Sequence, residues 1–343
     1  MSPRMQEAVG VDARSIGKVE NFDSLAARNH RLKPGDPVRL NIRRSGGDLG
    51  MQIRFDDFEI PYQPAMRVLD ALIHVAEHFA PDLAYRWFCG SKMCGTCAIR
   101  MNGREILACW ESVEPEMTLE PLRNLPVVRD LVVDRTPYEE RVAAFEPWLV
   151  RPAGYAGFPE PLTHKEMKNA SKALDCISCM ACFSACPVIR LGDLTDFAGP
   201  APLVQLAQTA LDARNDPDKV ADALERAGIF NCVSCYKCEE ACPAKIPIVS
   251  QVIEPLKAKT AALRPNLAKH SLTFRSIIAS RGRIDPTELV LRIQGRKALL
   301  NVARAFRLLI AGKINPLKTL FRKRTAASAA AHRLLDQEDR QAT

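Results

Sequence analysis

The stretch Cys176-Ile177-Ser178-Cys179-Met180-Ala181-Cys182-Phe183-Ser184-Ala185-Cys186-Pro187 decides how the second half of this chain is read. Its spacing recurs 56 residues later as Cys232-Val233-Ser234-Cys235-Tyr236-Lys237-Cys238-Glu239-Glu240-Ala241-Cys242-Pro243. Each run is C-x2-C-x2-C-x3-C-P. Disulfides are the first chemistry to test. The first thirty residues hold Arg4, Asp12, Arg14, Glu20 and Asp23 without a long apolar core, so no secretory signal is read there. A reducing compartment is then expected, which argues against disulfides. Cysteines two residues apart also rarely have the geometry to pair. Structural zinc is the second possibility, but zinc sites pair two separate C-x2-C knuckles or mix cysteine with histidine.

The unbroken run is instead the spacing of two-cluster bacterial ferredoxins. Three close thiolates hold three corners of a cubane. The fourth lies one helical turn further round and serves the other cluster. Cys176, Cys179, Cys182 and Cys242 are therefore expected to hold one [4Fe–4S] cluster, and Cys232, Cys235, Cys238 and Cys186 the second. The remaining four of the 12 cysteines are Cys89, Cys94, Cys97 and Cys109. Their C-x4-C-x2-C spacing, with a fourth cysteine at a distance, is the plant-type [2Fe–2S] pattern. Gly90 and Gly95 let the loop backbone approach the sulfurs and turn N–H groups toward them. Between Cys97 and Cys109, Asn102-Gly103 is a strong hairpin-turn signal.

The length of 343 residues predicts two or three domains. Apolar residues at 47% and charged residues at 26% are ordinary for a globular protein, which excludes a disordered or collagen-like chain. No apolar run approaches the roughly 18 residues of a spanning helix. The net charge of +8 is unevenly placed. Residues 257–343 carry 19 Lys/Arg against 5 Asp/Glu, so the rest of the chain is acidic. An acidic body with a basic tail predicts that the tail meets something the body does not.

Residues 1–35 lack periodicity and are expected to be an extension. Val38, Leu40 and Ile42 alternate, as do Met51, Ile53 and Phe55, and both sets predict strands. Residues 66–79 predict a helix with Val68, Leu69, Leu72, Ile73, Val75, Ala76 and Phe79 as its apolar set. His74 and His78 on its polar side are at metal-ligand spacing, although a solvated face is the plainer explanation. Pro137, Pro147, Pro152, Pro159 and Pro161 mark residues 137–165 as a linker. Helices are expected over Leu203–Arg214 and Lys219–Ala227. Residues 289–311 predict a basic amphipathic helix. Leu291, Ala298, Val302, Ala305, Phe306 and Leu309 lie on one side of it, and Arg292, Arg296, Arg304 and Arg307 on the other. Phe274, Phe306 and Phe321 are the tail's aromatics, too few to suggest nucleic acid as its partner. The expected domains are 36–136 for the [2Fe–2S] unit, 137–260 for the helical [4Fe–4S] unit and 261–343 for a basic helical tail.

Beyond the cysteines, the chain resembles the iron–sulfur subunit of succinate dehydrogenase and fumarate reductase from about residue 37 to 250. The resemblance is carried by Tyr85-Arg86, by Met101-Asn102-Gly103 and by Leu107-Ala108-Cys109. It continues through Pro126-Val127-Val128-Arg129-Asp130-Leu131-Val132-Val133-Asp134 and Gly199-Pro200. It implies an α+β chain: an N-terminal β-grasp domain of plant-ferredoxin type, then an all-α domain of bacterial two-cluster type. It also implies a role, passing electrons between a FAD-containing flavoprotein subunit that interconverts succinate and fumarate and a quinone side. The family generally lacks a cysteine at the position of Cys235 and holds a [3Fe–4S] cluster there. Quinone-reducing members carry a tryptophan after the second cysteine group and a histidine after the first cysteine of the third, where this chain has Arg190, Leu191 and Val233. The extra cysteine resembles variants whose membrane anchor is replaced by a cysteine-rich subunit like that of heterodisulfide reductase. Arg281-Gly282-Arg283 and Gly312-Lys313 resemble the small iron–sulfur subunit of that enzyme.

No acid–base pair or nucleophile stands out, so no catalytic residue is expected here. The leading expectation is an electron-transfer subunit of a succinate/fumarate oxidoreductase, peripheral on the inner face of the cell membrane. Alternatives are an iron–sulfur subunit of another flavoprotein or of a thiol-linked oxidoreductase and, more remotely, a zinc-stabilised interaction module.

Overall fold

The computed structural model describes residues 32–46, residues 52–190 apart from 153, 156 and 161, residues 196–295 apart from 285, and the single positions 307, 310 and 333. The strands are β1 (Pro37–Arg44), β2 (Arg54–Pro61), β3 (Ala98–Met101), β4 (Arg104–Leu107), β5 (Glu116–Glu120), β6 (Val127–Arg129) and β7 (Val132–Val133). The α-helices are α1 (Val68–His78), α2 (Thr136–Ala143), α3 (His164–Leu174), α4 (Ala181–Ala185), α5 (Pro200–Ala210), α6 (Pro217–Arg226), α7 (Lys237–Glu240), α8 (Glu254–Leu263), α9 (Lys269–Arg281) and α10 (Pro286–Gln294). The described residues form two units. One takes in those up to Glu140 with Asp175–Pro187 and Lys237–Ile246. The other takes in Arg141–Leu174, Val188–Tyr236 and the residues from Pro247 onward.

The first unit is built on a five-stranded sheet in the order β2-β1-β5-β3-β4. β1 and β5 run parallel, and the other neighbours are antiparallel. The alternation in β1 is as expected: Val38, Leu40 and Ile42 are all within 1% of full burial. α1 begins where the Arg67 backbone N–H donates to Asp70 Oδ2 at 2.8 Å, a cap that satisfies one otherwise orphaned donor. Its buried face is Val68, Leu69, Ala71, Leu72 and Val75. Each large aliphatic side chain so buried contributes roughly 1.5–3 kcal/mol. β3 and β4 are joined at Asn102 (φ 49°) and Gly103 (φ 81°), the left-handed pair that the sequence signal demands.

β2 departs from expectation in parity. Ile53 and Phe55 are exposed by 57% and 45%. The residues opposite Ile42, Leu40 and Val38 are Asp56, Phe58 and Ile60. The reason lies at the end of β1. Arg44 is buried on the inner face, and its guanidinium lies 3.1 Å from Asp56 and 3.1 Å from Asp130, with Asp82 as a third partner. A buried cation must be paired, and a one-residue slip of β2 would point Asp56 the wrong way.

The second unit is helical. α5 begins at Pro200, three residues before the expected start, with Pro200 and Pro202 in its first turn, where a missing N–H is harmless. α6 runs close to its expected span. Its N-cap Asp216 accepts from the Asp218 and Lys219 N–H groups at 2.8 and 3.0 Å. The proline-bearing stretch 137–165 is not all linker, since α2 occupies its start with Pro137 in the first turn. α9 and α10 pack together, with Glu288 between Arg281 (2.5 Å) and Arg292 (2.6 Å). Of the helix expected over 289–311, residues 289–294 belong to α10, and those beyond 295, except 307 and 310, lie outside the described residues. The extension 1–35 also lies outside them up to residue 31. Among the described residues no helix is long and apolar enough to cross a membrane.

Candidate metal centres

The loop between α1 and β3 carries three of the first four cysteines. Cys89 Sγ accepts from the backbone N–H groups of Ser91, Met93 and Cys94, each at 3.4 Å. Those bonds hold its thiol down to about 6, because they favour the charged form. Gly90 (φ 66°) and Gly95 (φ 69°) provide the curvature. Cys109 follows β4 in a turn pinned to the start of α1. The Leu69 N–H donates to Ala108 O at 2.8 Å and the Val68 N–H to Glu111 O at 3.0 Å. The Cys109 N–H donates to Cys97 Sγ at 3.5 Å. The two sulfurs also share a hydrogen bond that holds Cys109 at about 7 and pushes Cys97 up. Converging sulfurs with backbone N–H groups turned toward them fit an iron–sulfur cluster, whose negative sulfur needs such donors.

In the second group, the Ser178 N–H donates to Cys176 Sγ at 3.5 Å. Ser178 and Met180 hold left-handed backbone, φ 52° and 64°, which wraps the loop tightly. Burial pushes the Cys179 thiol up to about 12 and Cys182 well above its usual range. The neighbouring sulfurs that add to this are Cys242 and Cys176 for Cys179, and Cys179, Cys176, Cys238 and Cys242 for Cys182. Cys176, Cys179 and Cys242 thus lie near Cys182, and so does Cys238, which the spacing assigns to the other cluster. Such buried thiols ionise only beside a metal, so the donor set suits a cluster. The Ile246 N–H donates to Cys242 Sγ at 3.4 Å. In the third group the Ser234 N–H donates to Cys232 Sγ at 3.5 Å, and Cys235 is exposed. Cys186 and Cys238 fall in the first unit, Cys232 and Cys235 in the second.

Within the first unit the [2Fe–2S] loop lies against the second cysteine group. A Cβ on Gly95 would stand 2.6 Å from Ile177 O and 2.8 Å from Cys179 Cβ. Asn124, in left-handed backbone, donates to the carbonyls of Phe183, Ser184 and Cys186 at 2.8, 3.0 and 3.1 Å. Ser184 Oγ accepts from the Arg123 N–H and donates to Glu105, both at 2.9 Å. Tyr138 is buried beside Ser178, and burial pushes its phenol up to about 12. Asn124, Arg123, Glu105 and Tyr138 lie outside any cysteine motif and carry no sequence signal of their own. The same holds for Trp110, which has Lys92 Nζ at 4.9 Å and Arg67 Cζ at 5.3 Å from its ring centroid. His74 and His78 stack at 4.2 Å, and His78 Nδ1 bonds the His74 carbonyl.

Residues 39–140 match the sequence model of the 2Fe-2S iron-sulfur cluster binding domain, and residues 172–246 that of the 4Fe-4S dicluster domain. Over 222 residues the chain is 32% identical to the fumarate reductase iron-sulfur subunit of Mycobacterium tuberculosis, covering 61% of this chain and 87% of that one. Over 221 residues it is 35% identical to one of the subunits of the CoM/CoB fumarate reductase of Methanothermobacter marburgensis, covering 64% of this chain and 44% of the relative. The chain thus spans less than half the length of that relative, and the same holds for two iron-sulfur proteins of Methanocaldococcus jannaschii and Methanococcus maripaludis. A chain of the Mycobacterium smegmatis Sdh1 complex in the apo form superposes with a TM-score of 0.62 at 26% identity, over 67% of this chain and 98% of that one. The fold and the cysteine loops together define an iron–sulfur protein of [2Fe–2S] and [4Fe–4S] type. More particularly, the chain belongs to the family of fumarate reductase and succinate dehydrogenase iron–sulfur subunits.

Proposed function

We propose that this chain is the electron-transfer subunit of a succinate dehydrogenase or fumarate reductase complex and is itself non-catalytic. It would link a FAD-containing flavoprotein subunit to a quinone or other acceptor. The observation that carries this reading is the close approach of Gly95 to Ile177 and Cys179. It stacks the loop of one ligand set directly on the loop of another, as a relay requires.

The proposed ligands are Cys89, Cys94, Cys97 and Cys109 for [2Fe–2S]. Cys176, Cys179, Cys182 and Cys242 are assigned to one [4Fe–4S], and Cys232, Cys235, Cys238 and Cys186 to a second. When bound, the clusters supply one-electron carriers, while hydride chemistry belongs to the flavin. The residues of this chain do the positioning. Backbone N–H groups at Ser91, Met93, Cys94, Ser178 and Ser234 turn toward ligand sulfurs. Asn124 clamps the carbonyls of the Cys182–Cys186 turn. The other partner is proposed to be a membrane anchor or a cysteine-rich, heterodisulfide-reductase-like subunit, which places the complex on the inner face of the cell membrane.

A second reading is an iron–sulfur subunit of a thiol-linked oxidoreductase. It is favoured by the 35% identity to the CoM/CoB fumarate reductase chain. Anaerobic purification tests both. About 10 iron per chain is expected from one [2Fe–2S] and two [4Fe–4S] clusters. Co-purification of a flavoprotein that oxidises succinate supports the first reading. Stoichiometric zinc with negligible iron would end both in favour of a zinc-stabilised module.

A further inference from the structure

We propose that Lys92 sets the potential of the [2Fe–2S] centre: its ammonium, held over the Trp110 ring, keeps a positive charge at the loop that carries Cys89 and Cys94. This rests on the assignment of Cys89, Cys94, Cys97 and Cys109 to that centre. Lys92 occupies left-handed backbone at φ 62°, a conformation that disfavours a side chain. The same loop uses glycine for that conformation at Gly90 and Gly95. A strained non-glycine residue in a site that elsewhere uses glycine points to a task for its side chain.

The surroundings identify the task. The Lys92 backbone N–H is among the groups that favour the charged form of the Cys109 sulfur, and Lys92 lies between Cys89 and Cys94 in the ligand loop. Its Nζ lies 4.9 Å from the centroid of the Trp110 ring, and Trp110 directly follows Cys109. The ring faces a second cation, with Arg67 Cζ at 5.3 Å, and an Arg67 guanidinium nitrogen donates to the Trp110 carbonyl. An aromatic face holds a cation in place. Here it keeps the half-buried Lys92 side chain at the loop rather than free in solvent. Accepting an electron adds negative charge to the centre. A fixed cation nearby stabilises the reduced form and raises the potential, since net charge is one of the terms that set it.

The test is an electron-paramagnetic-resonance redox titration of the [2Fe–2S] signal in the full-length, anaerobically loaded chain. Lys92→Met and Lys92→Gly should each lower the reduced-to-oxidised ratio at the wild-type midpoint about tenfold, a shift of about 59 mV for one electron. Lys92→Arg keeps the charge and should stay within twofold of wild type. Lys92→Gly also relieves the backbone strain, so it decides the matter if the Met variant fails to load. Both neutral variants titrating within twofold of wild type would overturn the proposal. So would an Arg variant that shifts as far as Met. Absence of any [2Fe–2S] signal from the wild type would instead overturn the cofactor assignment on which the proposal rests.

Discussion

Gly90 and Gly95 sit five residues apart in one loop with nearly the same backbone, φ 66° and 69°, yet their surroundings differ. Nothing stands within 4 Å of where a Gly90 side chain would begin, whereas one at Gly95 would meet Ile177 O at 2.6 Å. Gly90→Ala should therefore cost only the conformational penalty, roughly 1–2 kcal/mol. Gly95→Ala must also push the two cysteine loops apart. It should cost more and lower [2Fe–2S] spin content, as read by denaturation midpoints and spin quantitation of the two variants. Equal losses would show that the loops yield freely. Cys235 is the other residue at which a single atom decides an outcome. It is exposed, and it supplies the fourth corner of the second proposed [4Fe–4S] site. Cys235→Val should leave a three-iron site, so a [3Fe–4S] signal appears in the oxidised variant and is absent from air-protected wild type. A stoichiometric three-iron signal already in the wild type would remove Cys235 from the ligand set. The cysteine spacing was legible because cluster geometry constrains it. The cations on Trp110 were not, because Arg67, Lys92 and Trp110 meet only once α1 and the loop have folded.

At the scale of elements, the second unit is held by an ionic cluster that composition does not reveal. Arg214 joins Asp212 (2.7 Å) to Glu160 (2.7 Å), and Arg151 reaches Glu160 from the other side at 2.5 Å. It ties the 151–160 segment to the turn between α5 and α6. Asp212 is 4% exposed at its side chain, and the Arg214 guanidinium holds its carboxyl below the usual carboxylate range. A depressed carboxyl stabilises the fold above the ordinary carboxylate pKa, and that contribution is lost as pH falls through the folded value. Arg214→Met should leave Asp212 buried without its nearest charged partner, keeping only the residue-214 backbone N–H, at a cost of about 3 kcal/mol near neutral pH. The deficit relative to wild type should shrink as pH falls below about 4. Thermal melts of both proteins from pH 7 to pH 3 test this. A deficit that stays constant with pH would mean the loss is one of packing. β2 shows how such pairs defeat pattern reading. The apolar residues Ile53, just before it, and Phe55 suggested one parity. The buried Arg44, answered by Asp56 in a strand-to-strand register, enforces the other. Where no buried charge intervenes, as along β1 before Arg44, in α1 and at the Asn102-Gly103 hairpin, hydrophobic periodicity and turn chemistry were enough.

At the scale of the whole chain, the division of charge calls for a test that leaves the cluster domains intact. α9 buries Ile277 and packs on α10, and Arg264 bonds Asp218 and Asp222. A cut near residue 260 would therefore remove folded helix along with the tail, whereas a stop after Gly295 keeps α9 and α10 whole. That stop deletes 11 Lys/Arg and 3 Asp/Glu. α10 also leaves Val290 and Leu291 about half exposed, at 47% and 50%. If the tail docks the complex on an anionic membrane, each cation near the surface contributes on the order of 1 kcal/mol, screened over about 10 Å at 0.1 M salt. The shortened chain should keep its iron content and its cluster signals. It should lose most of its retention on phosphatidylserine-containing vesicles at low salt, and the gap from full length should close as salt is raised. Retention on neutral vesicles should be weak for both proteins. Loss of clusters on truncation would assign residues 296–343 to the core, and unchanged binding to anionic vesicles would remove the tail from docking altogether.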